Sequence, residues 1–414
     1  MTLPFSPRRP DGREDRLPAP PVRPHLIRSD AEAIEAAHAL APRFAAGAAL
    51  RDRERRLPWD EIEAFTASGL GGITVPRDHG GAAVSHTTLA EVFAILAAAD
   101  ASAAQVPQNQ FGVLALVREA ASPAQKARIY EAVLNGWRLG NAGPARNGKA
   151  ITQVETRLTA GPRGRTLSGP RFYSTGAIFA HLIPTRATGE NGEPVLAWVR
   201  RDSAGVQVVD DWQGFGQRTT ASGTVLFDNA PIEDDLLIPL AGLAGKPGLF
   251  GPVSQLVQAA IDLGIARGAV EAALAFVRTR TRAWPFTVER ATDDPYIIGE
   301  VGQLQIDLHA AGEVLARAGR TLDRVQAAPV TAGSSAEASV AVAEAKILTT
   351  EIALEAGERL LELAGSAATR EDVNLGRFWR DARVHTLHDP VRWKYHLLGN
   401  YTLNGTLPAR HQWN

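Results

Sequence analysis

The order of textures along the chain restricts the fold more than any single motif. From about Ser29 to Asn135, apolar residues recur at helical spacing. Between Gly140 and Pro239 the pattern becomes short alternating segments separated by Gly, Pro, Asn and Asp, as in Thr152 to Leu158, Val195 to Val199 and Gly223 to Phe227. From Val253 onward, long Ala-rich stretches return to helical periodicity: Ala259 to Arg280, Ile297 to Ala327 and Ala336 to Ala364. Helix, then β, then helix over 414 residues predicts an α+β protein in successive parts. The expected layout is a flexible arm over 1–24, a helical domain over 25–138, a central antiparallel β-barrel over 139–242, and a four-helix bundle with a terminal arm over 243–414.

Local signals agree with this layout. Ser29 and Asp30 can cap a first helix bearing Ile34, Ala37, His38 and Ala41. Leu57-Pro58-Trp59 starts another, which ends in the glycine-rich stretch from Ser68 to Gly72. Thr87 to Ala99 is almost wholly apolar and predicts a buried helix.

Composition removes several function classes. A net charge of −1 points to neither nucleic acid nor an anionic membrane. No apolar run is long enough to span a bilayer, and Met1 to Pro24 lacks the apolar core of a signal peptide, so a cytoplasmic protein is expected. The chain has no cysteine and its only methionine is Met1, which excludes disulfides and thiolate chemistry. Genomic drift and sulfur economy account for that absence equally well.

The densest motif lies near the C-terminus. Arg377-Phe-Trp-Arg-Asp-Ala-Arg383 resembles the Arg-x-x-Arg-Asp-Ala-Lys/Arg segment of acyl-CoA dehydrogenases. Where many of those enzymes continue into Ile-Tyr-Glu-Gly-Thr, with the Glu as base in some, this chain reads Leu387-His388-Asp389-Pro390. Further matches are Val106 to Phe111, Gly140-Asn141-Ala142, Arg171 to Ala177, Asp210 to Gly223, Ala343 to Glu351 and His385 to Tyr395. Together they resemble the sulfur-acquisition oxidoreductases of the SfnB type, relatives of dibenzothiophene and methanesulfinate monooxygenases. The resemblance implies the acyl-CoA dehydrogenase fold and a two-component monooxygenase. A separate NAD(P)H-dependent flavin reductase would supply reduced FMN, with FAD the other candidate. A flavin C4a-hydroperoxide formed with O2 would then oxygenate a small organosulfur substrate. It also implies a homotetramer.

Residue roles follow from that resemblance. Asn141 and Ser174 are neutral donors expected to face the isoalloxazine and oxygen site, although Ser174 also suits a turn before Gly176. Phe172, Tyr173 and Trp212 are expected beside the flavin ring, a buried core Trp being the competing reading for Trp212. Thr219, Thr220 and Ser222 form a small-residue loop suited to phosphate, or an ordinary strand entry. Arg282 is expected on flavin phosphate, with a simple basic helix end as the alternative. His385 and His388 are the catalytic candidates, able to position a peroxide or move its proton. No third partner suggests a metal site. Asp389 is expected to cap the last helix with Pro390 at its first position, which would commit the carboxylate to backbone amides.

Gln110 and Phe111 are expected to line the substrate and oxygen pocket, but Gln110 stands where the family usually has His. Ala367 and Ala368 stand where an Arg is usual. Two other readings therefore remain open: an acyl-CoA dehydrogenase-type flavin enzyme, with Glu344 as a conceivable base, and a non-catalytic or weakly flavin-binding relative.

Overall fold

The computed structural model describes residues 16–144, 155–162, 164–243 and 245–414. The expected arm lies outside the described residues as far as residue 15. Beyond that the chain is pinned: the Arg16 guanidinium sits 4.3 Å from the Trp59 ring, and the Ala19 carbonyl lies 2.9 Å from His181 Nε2.

Among the described residues, seven helices come first: α1 (Asp30–Ala45), α2 (Ala48–Glu54), α3 (Trp59–Ala67), α4 (His86–Ala99), α5 (Ala101–Gln105), α6 (Gln108–Ala120) and α7 (Pro123–Leu134). Their starts are chemically marked. Ser29 accepts the Glu32 N–H at the head of α1, and Ser122 and Gln125 form a reciprocal capping box at α7. The buried face of α1 is Ala33, Ala37, Leu40 and Phe44, so His38 points outward.

A seven-stranded sheet follows: β1 (Arg157–Gly161), β2 (Gly164–Arg171), β3 (Leu182–Thr188), β4 (Pro194–Arg200), β5 (Val206–Val209), β6 (Thr224–Pro231) and β7 (Ile238–Pro239). Of the expected segment Thr152 to Leu158, the part before Glu155 lies outside the described residues. The strand order is β5-β6-β2-β1-β3-β4-β7, so the expected antiparallel barrel is not formed. The sheet is open, with β5 and β7 as its edges, and it is mixed. After β2 the chain passes through Phe172–His181, crosses β1 and descends on its far side, which sets β3 parallel to β1 at Arg157 and Thr188. The remaining ladders are antiparallel.

Helices then resume as α8 (Phe250–Thr279), α9 (Pro295–Gln326), α10 (Ala332–Ala364), α11 (Arg377–His385) and α12 (Arg392–Asn404). The three long ones pack together, and the partner completing the layer is α4, from the other end of the chain. Leu89, Phe93 and Leu96 of α4 share one core with Leu256 and Leu263 of α8, Leu315 and Leu322 of α9, and Ile352 and Leu360 of α10. Close approach makes this possible. A Cβ at Gly264 would stand 2.5 Å from the Ala94 carbonyl oxygen, and one at Gly268 2.4 Å from that of Ala98, so only glycine lets α8 lie this near α4. The terminal segment is no outreaching arm. Arg410 pairs with Glu119 and donates to the Leu243 carbonyl, folding the tail onto its own chain beside the start of α8.

Candidate active site

Three connections meet at the end of the sheet that faces the helices: Gly140–Pro144, Arg171–Gly176 and Trp212–Gly223. Gly143 must be glycine, since a Cβ there would meet the Phe172 carbonyl oxygen at 2.0 Å. Its N–H donates to Ser174 Oγ at 3.3 Å, while the Ser174 N–H donates to the Gly223 carbonyl at 3.0 Å. Ser174 is thus the turn residue that locks two loops together. It is buried, and its own hydroxyl proton has no acceptor among the described residues. The Asn141 amide reaches the Tyr173 carbonyl at 3.4 Å.

Trp212 is half-buried at this loop junction rather than in the core. Its Nε1 donates to the Gln217 carbonyl at 2.8 Å, and its ring meets Tyr173 edge-on at 6.2 Å. Tyr173 is 61% exposed and so presents an aromatic face to solvent beside Trp212. Phe172 is fixed through its N–H to the Pro144 carbonyl. Thr175, Ser222 and Thr220 form a buried hydroxyl chain, with steps of 2.6 Å and 2.7 Å ending on the Gln217 carbonyl. Thr220 and Ser222 therefore brace the loop, while Thr219 faces a small cavity shared with Arg377 and Asp381.

Two observations suit this junction to a bound group. Tyr173, Gln217 and Ala221 all take left-handed φ values, of 51°, 48° and 48°, a strained choice for non-glycine residues. The Gln217 side chain is buried with both amide atoms unpartnered.

Helix α11 is docked onto the same loop. The Gln217 N–H donates to Asp381 Oδ1 at 2.6 Å, and Arg380 reaches Asp52 at 2.5 Å and the Phe215 carbonyl at 2.7 Å. Burial, reinforced by the charge of Asp52, pushes the Asp381 carboxyl up to about 7.

One turn beyond Asp381, on the same face of α11, stands His385. It is enclosed with two charged partners that the sequence reading missed. Asp262 Oδ1 lies 2.5 Å from His385 Nδ1, and Asp262 Oδ2 accepts from Lys346 Nζ at 2.6 Å and Thr350 Oγ1 at 3.2 Å. Burial works to raise the Asp262 carboxyl, but the charges of Lys346 and His385 outweigh it and hold it below the usual range. Burial lowers His385 despite Asp262. His385 Nε2 is buried without a partner. A signal did exist: Asp262 is a lone acid inside an apolar stretch from Leu256 to Ala266, and such a carboxylate must find a counter-charge.

His388 is part-exposed and lies 2.9 Å from Asp389 Oδ1. Asp389 does not cap the last helix, which begins at Arg392 after Val391. The Pro390 ring cannot donate, and the turn at 386–391 aims the carboxylate sideways at His388 and Lys394, 3.6 Å away. Burial would raise Asp389, yet His388, Lys346 and Lys394 hold it far below the usual carboxylate range. It is a poor proton acceptor for that reason, not through backbone capping.

The remaining candidates stand apart. Gln110 is a structural bridge: its Nε2 donates to the Gly71 carbonyl at 2.7 Å and its Oε1 accepts from Leu139 N–H at 2.8 Å. Phe111 packs edge-on against Phe93 and lines a different cavity, of about 170 Å³, with Leu114, Tyr130 and Val253. Arg282 is exposed in the turn after α8, and no hydrogen bond or ion pair joins it to the loop junction among the described residues. Glu344 forms a surface pair with Arg317, as befits a bundle residue and not a base. No group of three or more His, Asp or Glu among the described residues could hold a metal ion.

Order of elements, sheet and docked C-terminal helices define an acyl-CoA dehydrogenase-type flavoprotein scaffold. Residues 30–137 match the acyl-CoA dehydrogenase N-terminal domain and residues 256–393 its C-terminal domain, and the chain belongs to this family. Within it, similar relatives include flavin-dependent monooxygenases. The chain is 34% identical over 391 residues to a dibenzothiophene monooxygenase of Mycolicibacterium goodii, covering 91% of this chain and 94% of that protein. It is 30% identical to a probable FMNH2-dependent monooxygenase, SfnC, of Pseudomonas putida, over 91% of this chain and 96% of the relative. The FMN-bound crystal structure of TdsC from Paenibacillus sp. A11-2 superposes with a TM-score of 0.87 at 33% identity, covering 92% of this chain and all of that one.

Proposed function

We propose that this protein is a reduced-FMN-dependent monooxygenase that oxygenates a small organosulfur compound and serves sulfur acquisition. The observation that carries the reading is the chemistry gathered at the loop junction and α11. It holds neutral donors (Ser174 with an uncommitted hydroxyl proton, and Asn141) and a buried imidazole with a free Nε2. The two carboxylates nearest the histidines, Asp262 and Asp389, are unsuited to abstracting a carbon-bound proton, and Asp381 is tied to the Gln217 N–H. Asp262 is saturated by His385, Lys346 and Thr350, and Asp389 is held as a weak base by His388 and Lys394. A dehydrogenase needs a carboxylate free to take such a proton.

Reduced FMN, when bound, supplies the oxygen-activating chemistry. Tyr173 and Trp212 would flank its ring system, and the orphaned Gln217 amide matches a ring with alternating donors and acceptors. Thr219 and Arg282 are the candidates for its phosphate, Arg282 by reaching a neighbouring subunit. Ser174 and Asn141 donate neutral hydrogen bonds without transferring a proton. His385 accepts through Nε2 in a place closed to water, and part-exposed His388 follows it on the turn after α11.

The name of the SfnC relative, FMNH2-dependent, matches dependence on a separate flavin reductase drawing on NAD(P)H. Homotetramer formation belongs to the same reading. Exposed Trp284, Phe286, Tyr296, Ile298 and Ile306 at the α8–α9 turn and on α9 offer apolar area for a neighbouring subunit. A monomer in sedimentation at micromolar concentration would refute it.

The direct test supplies FMN, NADH and a flavin reductase, offers dibenzothiophene, alkyl sulfones and alkyl sulfinates separately, and follows products by mass spectrometry. Incorporation of one labelled oxygen atom from O2 into product supports the proposal. Tight FMN binding with reduction by acyl thioesters, and no oxygen incorporation, would move the protein to the dehydrogenases.

A further inference from the structure

His385 sits among groups whose hydrogen-bond capacities leave it only one protonation state. Asp262, Lys346 and His385 are buried, with no more than 1% exposure of any of their side chains, so water cannot redistribute their protons freely. Both carboxylate oxygens of Asp262 are engaged, Oδ2 by Lys346 and Thr350 and Oδ1 by His385. An ionised carboxylate only accepts, so the proton in the 2.5 Å contact belongs to His385 Nδ1.

Charge counting then decides the other nitrogen. Asp262 and Lys346 cancel; a second cation on His385 would leave a net positive charge sealed from water. The neighbouring elements do not alter this balance. On the turn after α11 and on α12, His388, Asp389 and Lys394 face the same region; Asp389 and Lys394 are a second opposite pair, so Asp262, Asp389, Lys346 and Lys394 together sum to zero, and His388 lies beside Asp389.

From this we infer that Asp262 and Lys346 are positioning residues that hold His385 as a neutral imidazole, with its proton on Nδ1 and its lone pair on the unpartnered Nε2. The ligand group seated against Nε2 is therefore a hydrogen-bond donor, an O–H or N–H, and not an anion or a bare acceptor. The inference rests on the reading of His385 as a site residue. Lys346 has the sharper role. Without it, Asp262 keeps its charge with only the imidazole to balance it, and His385 takes up a proton. Nε2 then changes from acceptor to donor. Asp262→Asn instead leaves a single amide oxygen for Lys346 and His385 to compete for, so Nδ1–H is no longer held and the ring is free to exchange tautomers.

The test uses the FMN-bound full-length protein with isotope-labelled histidine nitrogens, His385 being assigned by its loss in His385→Gln. In the parent protein the His385 signals should show Nδ1 protonated and Nε2 bare throughout about pH 6 to 8. Lys346→Met should convert them to an imidazolium over most of that range, with the titration midpoint raised by at least about three pH units. Lys346→Arg should keep the neutral pattern. Should Lys346→Met not fold, Thr350→Val, which removes one donor to Asp262, should give a smaller upward displacement. Asp262→Asn should lower kcat about tenfold or more while changing the FMN dissociation constant less than about threefold.

A neutral, unshifted His385 in Lys346→Met, or an imidazolium in the parent protein, overturns the inference. Failure of the underlying reading looks different. Full turnover by His385→Gln, or no FMN binding by the parent protein, removes the functional role and leaves the nitrogen spectra as predicted.

Discussion

Replacing Asp381 by Asn tests how the site is held together. This carboxyl accepts the Gln217 N–H at 2.6 Å, is buried, and is pushed from its ordinary 3.8 up to about 7, chiefly by burial and then by Asp52. Its folded-state value is raised, so the stability it contributes is complete below about pH 4 and is lost as pH rises through about 7. The gap of about three pH units corresponds to a loss on the order of 4 kcal/mol across that window. The side chain introduced by Asp381→Asn would not titrate, yet its amide oxygen can still accept from Gln217. Denaturant unfolding of both proteins at several pH values measures the difference between them, in which carboxylates not coupled to Asp381 cancel. The Asn variant should gain on the parent by roughly 1.4 kcal/mol per pH unit from about pH 5 to 7, then hold level above that. A difference independent of pH would refute the argument. So would a parent protein that gains relative stability as pH rises, since that would show a carboxylate stabilised by Arg380.

Three further outcomes follow from the geometry. Arg51→Met strands buried Asp100 and part-buried Glu61, which Arg51 binds at 2.8 Å and 2.7 Å, and should cost on the order of 3–5 kcal/mol in equilibrium unfolding. Gln110→Leu leaves the Leu139 N–H and the Gly71 carbonyl without partners; calorimetry should show a loss of about 2–4 kcal/mol with little direct effect on FMN affinity. Ser174→Ala removes the acceptor for Gly143 N–H and an uncommitted hydroxyl proton at the junction, so oxygenation should fall by about ten- to a hundredfold while FMN reduction by the reductase continues unchanged.

The order of the layers and the family are both readable in the chain alone. Short-range chemistry wrote them: Ser29 at the head of α1, the apolar run of α4, the alternation in β4, and the motif from Arg377 to Arg383 are each legible within a few residues. Tyr173, Ser174 and Trp212 stand in contiguous motifs, and the structure brings those motifs together at one loop junction. Which distant residues meet is a matter of packing. The sheet is open and mixed because β3 crosses over β1, a choice of partner that alternation within a strand does not encode. Gln110, a plausible pocket residue from its motif, spends its amide on backbone groups far away in the chain. Asp389 looked like a helix cap because Pro follows it, but Lys394 and His388 claim the carboxylate and the helix starts later. Asp262, Lys346 and His385 lie on α8, α10 and α11, separated by 84 and 123 positions from the shared carboxylate. Local pattern records which face of a helix is apolar. It does not record which charge on another helix will neutralise a buried acid, and that pairing is settled only when the helices pack and exclude water.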